Sequence, residues 1–218
     1  FFFILITQRK GYLNYLCLVS HEYFHLWNVK RIRPIELGPF NYLKEAMTKL
    51  LWLAEGLTSL MDELFIYRAD VITLEEYLEM QKDNLNRYLS VPGRRFHSLQ
   101  ESSLNAWIKL YRPDENTNNS SVSYYLKGGI VFWCVNILFH QQGKSINDLL
   151  KALWERHLKQ PNVGVTDDEV YEMVESIAGK QVREKFEEWV TTTVDINFDD
   201  VVKLAGLEID WDKTLHPW

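Results

Sequence analysis

The sequence predicts a mainly α fold with one β-strand left at its N-terminus. Three observations carry that prediction. Beyond residue 10, apolar residues recur at helical spacing almost throughout. Ser/Thr-x-x-Glu capping boxes at Thr73 and Thr166 mark helix starts. The run Phe1-Phe2-Phe3-Ile4-Leu5-Ile6 is bulky and apolar, which suits a strand covered on both faces, and no second convincing strand follows it. A lone strand cannot pair its own backbone groups. Residues 1–10 therefore read as the remnant of a mostly absent β-region, and residues 11–218 as a helical domain. Thr7 to Lys10 span at most about 14 Å fully extended, too little for further strands. That predicts either a break in the chain there or a sheet further upstream, and exposed apolar surface on Phe1 to Ile6.

The elements follow in order. Gly11 to Asn28 is an apolar helix, closed by a loop at Pro34 and Gly38-Pro39. Residues 41–69 repeat apolar positions at helical spacing, with Gly56 as an interruption. Thr73 and Glu76 start a helix towards Ser90, which Pro92-Gly93 ends. Residues 98–110 read as another helix, and the polar stretch Pro113 to Ser121 as a loop. Ser123 to Gln142 is an apolar helix with Gly143 at its C-terminal cap. Ser145 caps a helix to about Lys159. Pro161 to Val165 is a loop within one domain. Thr166 and Glu169 open a helix that Gly179 closes, and two short helices fit Val182 to Thr192 and Phe198 to Ala205.

Composition narrows the classes. Hydrophobic residues make up 46% of the 218, so a core forms and wholesale disorder is excluded. A net charge of −6 gives no general nucleic-acid footprint. The one basic cluster, Lys30-Arg31-Ile32-Arg33, reads as a solvated or structurally paired stretch. No uncharged apolar run reaches the roughly 18 residues a membrane span needs. Phe1 to Ile6 lacks the basic leader and cleavage site of a signal peptide. Cys17 and Cys134 fall in apolar helical runs and read as buried free thiols, which favours a cytoplasmic over a periplasmic setting.

The chemistry lies in His21-Glu22-Tyr23-Phe24-His25, an H-E-x-x-H pattern inside the first helix. Positions i and i+4 share one helix face, so both imidazoles can reach one metal ion. Glu22, one residue along, can serve as general base to the attacking water. This is the arrangement of zinc metallopeptidases. Alone, it also fits a partly buried helix with two satisfied histidines. A catalytic zinc takes three protein ligands and leaves one position open. Glu55, in the otherwise apolar run Leu51 to Thr58, is the leading third ligand, because a buried carboxylate needs a partner. Asp62, two turns further on, can hold the free ring N–H of a ligand histidine. The remaining histidines, His97, His140, His157 and His216, have no ligand partner at helical spacing and read as surface or packing residues.

With those residues in hand, the chain resembles the glycyl aminopeptidase family of gluzincins, thermolysin-like zinc peptidases related to aminopeptidase N. The matching run is Val19 to Pro34, whose Trp-Asn-Val-Lys-Arg-Ile-Arg-Pro end goes far beyond a bare H-E-x-x-H. Trp52 to Thr58 resembles the family's third-ligand motif at Glu55. Tyr111 to Asn116 and Val122 to Gly128 form a third matching block. The resemblance implies a thermolysin-like catalytic domain with one Zn²⁺ per chain, held by His21, His25 and Glu55. It implies that Tyr125 donates to the oxyanion of the tetrahedral intermediate. It also implies an aminopeptidase that acts on peptides with a free N-terminus and favours Gly or Ala there. The family's Gly-Gly-Leu-Glu-His-like segment, its N-terminal β-domain and its C-terminal PDZ-like domain have no counterpart in these residues, so they are expected in a longer parent protein. A zinc endopeptidase of the same fold and a non-catalytic helical module are the rival readings.

Overall fold

The computed structural model describes residues 7–211. The strand expected at Phe1 to Ile6 lies outside them, as does His216. Among the described residues the architecture is helical and contains no strand, only isolated bridges pairing Asn28 with Ile32 and Pro34 with Val165. The break expected at Thr7 to Lys10 is absent. Helix α1 already runs there, from Arg9 to Phe24, two residues earlier than the apolar pattern suggests. Ion pairs from Arg9 to Glu76 and from Lys10 to Asp83 hold this first turn against the helix at 74–89, which apolar periodicity cannot reveal.

Helix α1 also stops short of Asn28. His25 is its C-cap, and residues 25–32 turn back on themselves, with the Lys30 amide on the His25 carbonyl and the Val29 amide on the Ile32 carbonyl. Val29 adopts φ 113°, a left-handed value at a β-branched residue. Such a residue is strained by its branch and stays there only when its surroundings hold it.

The helix expected across residues 41–69 is shorter than its periodicity. Residues 41–49 are irregular, and Tyr42 and Leu43 are almost fully exposed, so no core fixes them as a helix. The regular structure begins with a π turn, Trp52–Gly56, which runs directly into α2, Leu57–Arg68. Gly56 is a member of that turn and not an interruption. Helix α3, Leu74–Leu89, starts at the Thr73/Glu76 capping box and ends before a 3₁₀ turn at Pro92–Arg95. The segment 98–110 is two short helices, α4 Leu99–Leu104 and α5 Ala106–Lys109, parted at Asn105. The polar loop contains one short helical turn, α6 Thr117–Ser120.

Helix α7, Tyr124–His140, is the axis of the molecule. It is apolar on all sides because neighbours cover it all round: the π turn, α2, α3 and α4, together with the later helices α8 Ile146–Lys159, α9 Asp167–Ala178, α10 Lys180–Thr191 and α11 Phe198–Lys203. Gly143 takes φ +66° just past its end. Trp52, Phe132, Tyr171 and Phe186 meet in one aromatic cluster at its middle. Truncating a ring such as Phe132, which is fully buried, would cost about 3–5 kcal/mol. Ser145 caps α8 and the Thr166/Glu169 capping box opens α9, as the sequence predicts; Asp148 completes a further box with Ser145, and Gly179 closes α9 at φ +84°. Residues 161–165 pack into the same body, since the Val165 amide donates to the Arg33 carbonyl at 2.8 Å and its carbonyl accepts from Ile35 at 3.0 Å.

Candidate metal centre

Helix α1 places His21 and His25 one turn apart, with ring centroids 4.7 Å apart and planes nearly perpendicular. The π turn brings Glu55 against both. Its Oε2 lies 3.1 Å from His21 Nε2 and 3.2 Å from His25 Nε2. One ligand atom from each of these residues falls within 4.8 Å of the others, a His/His/Glu set that could hold a metal ion. It is the one such group among the described residues. Asp62, on α2, meets the other side of the first ring: its Oδ2 is 2.8 Å from His21 Nδ1. His25 Nδ1 faces the Asn28 carbonyl at 2.8 Å.

These contacts decide what the site attracts. A carboxylate and a peptide carbonyl only accept, so both Nδ1 atoms carry hydrogen. Each Nε2 of a neutral ring then presents a lone pair, and both lone pairs face a carboxylate oxygen. That convergence is stable only when positive charge lies between the groups, as protons on both rings or as one metal ion. The pKa directions say the same in protons. Burial opposes charge on His21, but its bonds to Asp62 and Glu55 outweigh burial and lift it to about 9. His25 is raised likewise, against burial, by Glu55 and the Asn28 carbonyl. Burial acts to raise Glu55, and the two histidines still pull it down to about 2. Burial carries Asp62 up to about 6 against the pull of His21. Two imidazoles and a carboxylate are a donor set suited to zinc, and the oriented ring nitrogens are the usual support for such ligands.

A cavity of 580 Å³ opens beside the set, lined by Leu18, His21, Glu22, His25, Glu55, Ser59, Asp62 and Tyr125. Glu22 is exposed on its wall. Tyr125, in the first turn of α7, stands with its ring 6.0 Å from that of His21. Burial, then the Glu55 carboxylate, push its phenol above the ordinary tyrosine value, so it keeps its proton to donate. All six residues singled out in the sequence thus line one cavity.

The chain carries this site on a recognisable sequence. Residues 14–131 match the family model of the M61 glycyl aminopeptidases, more than half of the chain. The chain belongs to the M61 glycyl aminopeptidase family. Among solved structures, an aminopeptidase N family protein from Idiomarina loihiensis superposes with a TM-score of 0.84 at 28% identity, over 90% of this chain and 34% of its own length. This M61 chain therefore spans about a third of that structure. No curated protein matches it.

Other sequence expectations find their places. The two cysteines are free, Cys134 buried and Cys17 half-buried. His97 is buried, and its Nδ1 accepts from the Val122 amide at 3.4 Å. The basic run is structurally paired: Arg31 donates to the Leu26 carbonyl, and the Arg33 guanidinium sits over the Phe40 ring. No helix among the described residues is long and apolar enough to cross a membrane. Sequence reading missed two features of the site. One is Asn28, whose side chain reaches the π turn. The other is the backbone contact of Gly56 with Gly128, where a Cβ on Gly56 would stand 2.6 Å from the Gly128 Cα. Both glycines sit in the matched motifs, but only three dimensions bring them together.

Proposed function

We propose that this chain is the catalytic part of a zinc aminopeptidase that releases small N-terminal residues, glycine or alanine, from peptides. The observation that carries the reading is the convergence of two imidazole Nε2 atoms on Glu55 while both Nδ1 atoms are tied to acceptors. His21, His25 and Glu55 would hold one zinc ion. Zinc bound there supplies a Lewis acid that polarises the scissile carbonyl and acidifies the attacking water. Glu22, on the cavity wall, takes the water's proton and delivers it to the leaving amine. Tyr125 donates its phenolic hydrogen to the oxyanion that develops on the carbonyl. Asp62 fixes the tautomer and orientation of His21.

The thermolysin-like classification and the division into residues 1–10 and a catalytic domain over 11–218 belong to the same proposal. So do the β-region and PDZ-like domain of a longer parent. The likeness to a structure of which this chain covers 34% supports them. Two measurements test the reading. Elemental analysis of protein prepared without added metal should find about one zinc per chain. A protein that neither contains nor takes up zinc refutes the reading and leaves a non-catalytic helical module. Free-amine Gly and Ala peptides should be cleaved faster than the same peptides N-acetylated, and the opposite ranking would make the protein an endopeptidase.

A further inference from the structure

We propose that Asn28 is the positioning residue of the metal centre, clamping the end of α1 to the π turn so that His25 and Glu55 stand at a fixed separation. The inference rests on the zinc reading above and adds a role that the ligands themselves do not explain.

Asn28 is 1% exposed and is bonded through its main-chain N–H, its main-chain carbonyl and its side-chain NH₂. Its amide N–H donates to the Phe24 carbonyl at 3.0 Å, which ties it to the last turn of α1. Its own carbonyl accepts from His25 Nδ1 at 2.8 Å and so sets that ring's tautomer and angle. Its side-chain NH₂ crosses to the other element. It donates to the carbonyls of Leu53 and Ala54 at 2.9 and 3.0 Å and to Thr58 Oγ1 at 2.9 Å. Thr58 passes its hydroxyl hydrogen on to the Ala54 carbonyl at 2.7 Å. Leu53 and Ala54 are the two residues before Glu55. One side chain thus grips the backbone that carries one ligand, while its main chain orients another.

The grip has a physical reason to fall there. A π turn bonds each N–H to the carbonyl five residues back, and α2 reverts to four. Carbonyls at such a junction need donors from outside the ladder when they are buried. The strained φ of Val29 lies immediately after Asn28. It marks a backbone held against its own preference to keep Asn28 pointing inward.

The test separates positioning from general stability. Asn28→Asp keeps the volume and the main-chain bonds but replaces the two donors with acceptors facing carbonyls. Zinc affinity, read by competition with a chromophoric chelator, should fall by roughly 10–100-fold, the range for residues that orient ligands. The visible bands of the cobalt-substituted protein should shift with it. Leu149→Ala, in the fully buried core of α8, is the comparison. It should lower the melting temperature and leave zinc affinity and the cobalt spectrum alone. Thr58→Val removes one acceptor and should weaken zinc binding, while Thr58→Ser retains the hydroxyl and should restore it. This pair carries the test if Asn28→Asp does not fold. Zinc affinity in Asn28→Asp equal to wild type, or reduced no more than in Leu149→Ala at the same loss of melting temperature, overturns the proposal. So does equal affinity in Thr58→Val and Thr58→Ser. A wild-type protein that binds no zinc removes the metal reading and this role together. A wild type that binds zinc, beside variants that bind it equally well, removes only this role.

Discussion

Gly56→Ala is the sharpest perturbation the fold offers. Gly56 closes the π turn after Glu55, and Gly128 lies one turn after Tyr125 on α7. Their backbones touch. A Cβ on Gly56 would sit 2.6 Å from the Gly128 Cα, 2.8 Å from its carbonyl carbon and 3.1 Å from the Tyr124 carbonyl oxygen. Carbon atoms in contact prefer about 3.5–4.0 Å, so the elements must part by about 1 Å. Every atom in the way is backbone, and no side chain can swing aside. Overpacking of this kind costs up to about 3 kcal/mol. Replacing glycine by alanine in a helix returns up to about 1 kcal/mol of propensity. The net loss is about 2 kcal/mol, or roughly 4–8 °C in melting temperature for a chain of this size. The same movement carries Glu55 away from Tyr125, and a displacement near 1 Å at a catalytic geometry can cost about 10²-fold in rate. Thermal melts followed by circular dichroism, and turnover of a Gly peptide at saturating substrate, read the two effects. Gly128→Ala meets the same contact, with its Cβ 2.9 Å from the Gly56 Cα. The double variant should therefore lose less than the sum of the singles, because the gap opens once. A Gly56→Ala protein that melts within a degree of wild type, or strict additivity in the double variant, would refute the reasoning.

Further outcomes follow from the same site and core. Glu22→Gln should keep its zinc by elemental analysis while peptide hydrolysis falls by about 10²–10⁴-fold, and loss of zinc would mean the residue is structural. Tyr125→Phe should lower kcat by about 10²–10³-fold with less change in KM, and near-wild-type turnover would remove its role as donor. Lys127 is fully buried, donates to the Thr192 carbonyl at 3.3 Å, and is pushed down to about 8 by burial, against Asp195 and Glu101. Between that value and the ordinary 10.5 the unfolded chain binds the extra proton, so folded-state stability rises with pH across that window. Chemical denaturation at pH 7 and pH 10.5 should show wild type gaining about 3 kcal/mol on Lys127→Met. A pH-independent difference would mean that Lys127 titrates normally.

Local signals made much of the molecule legible beforehand. Capping boxes at Thr73 and Thr166 are written in adjacent residues, so their helices begin where the sequence says. Helix geometry alone puts His21 and His25 on one face with Glu22 beside them, and the cost of burying a carboxylate singles out Glu55 as the leading candidate to join them. Periodicity misleads where apolar residues have no core to meet. Residues 41–49 repeat like a helix yet stay irregular, because Tyr42 and Leu43 face solvent. It also misses long-range ties, such as Arg9 to Glu76, which start α1 early. Asn28, Gly56 and Gly128 were invisible for a related reason. Their significance lies in what stands opposite them, and a one-dimensional pattern does not contain the opposite wall.

The π turn at Trp52–Gly56 has a consequence for how this sequence can change. A π turn is in effect an α-helix with one extra residue. Each residue turns an α-helix by about 100°. Deleting Gly56, which lies between Glu55 and Asp62, would rotate Glu55 away from the two imidazoles while Asp62 still held His21 from its other side. No choice of side chain could repair that rotation. Substitutions among Trp52, Leu53 and Ala54 would trade packing energy, whereas a change in length would dissolve the site. What is guarded here is a residue count as well as the two letters Glu55 and Gly56, and only Trp52 to Ala54 are left to change identity at the expense of packing alone.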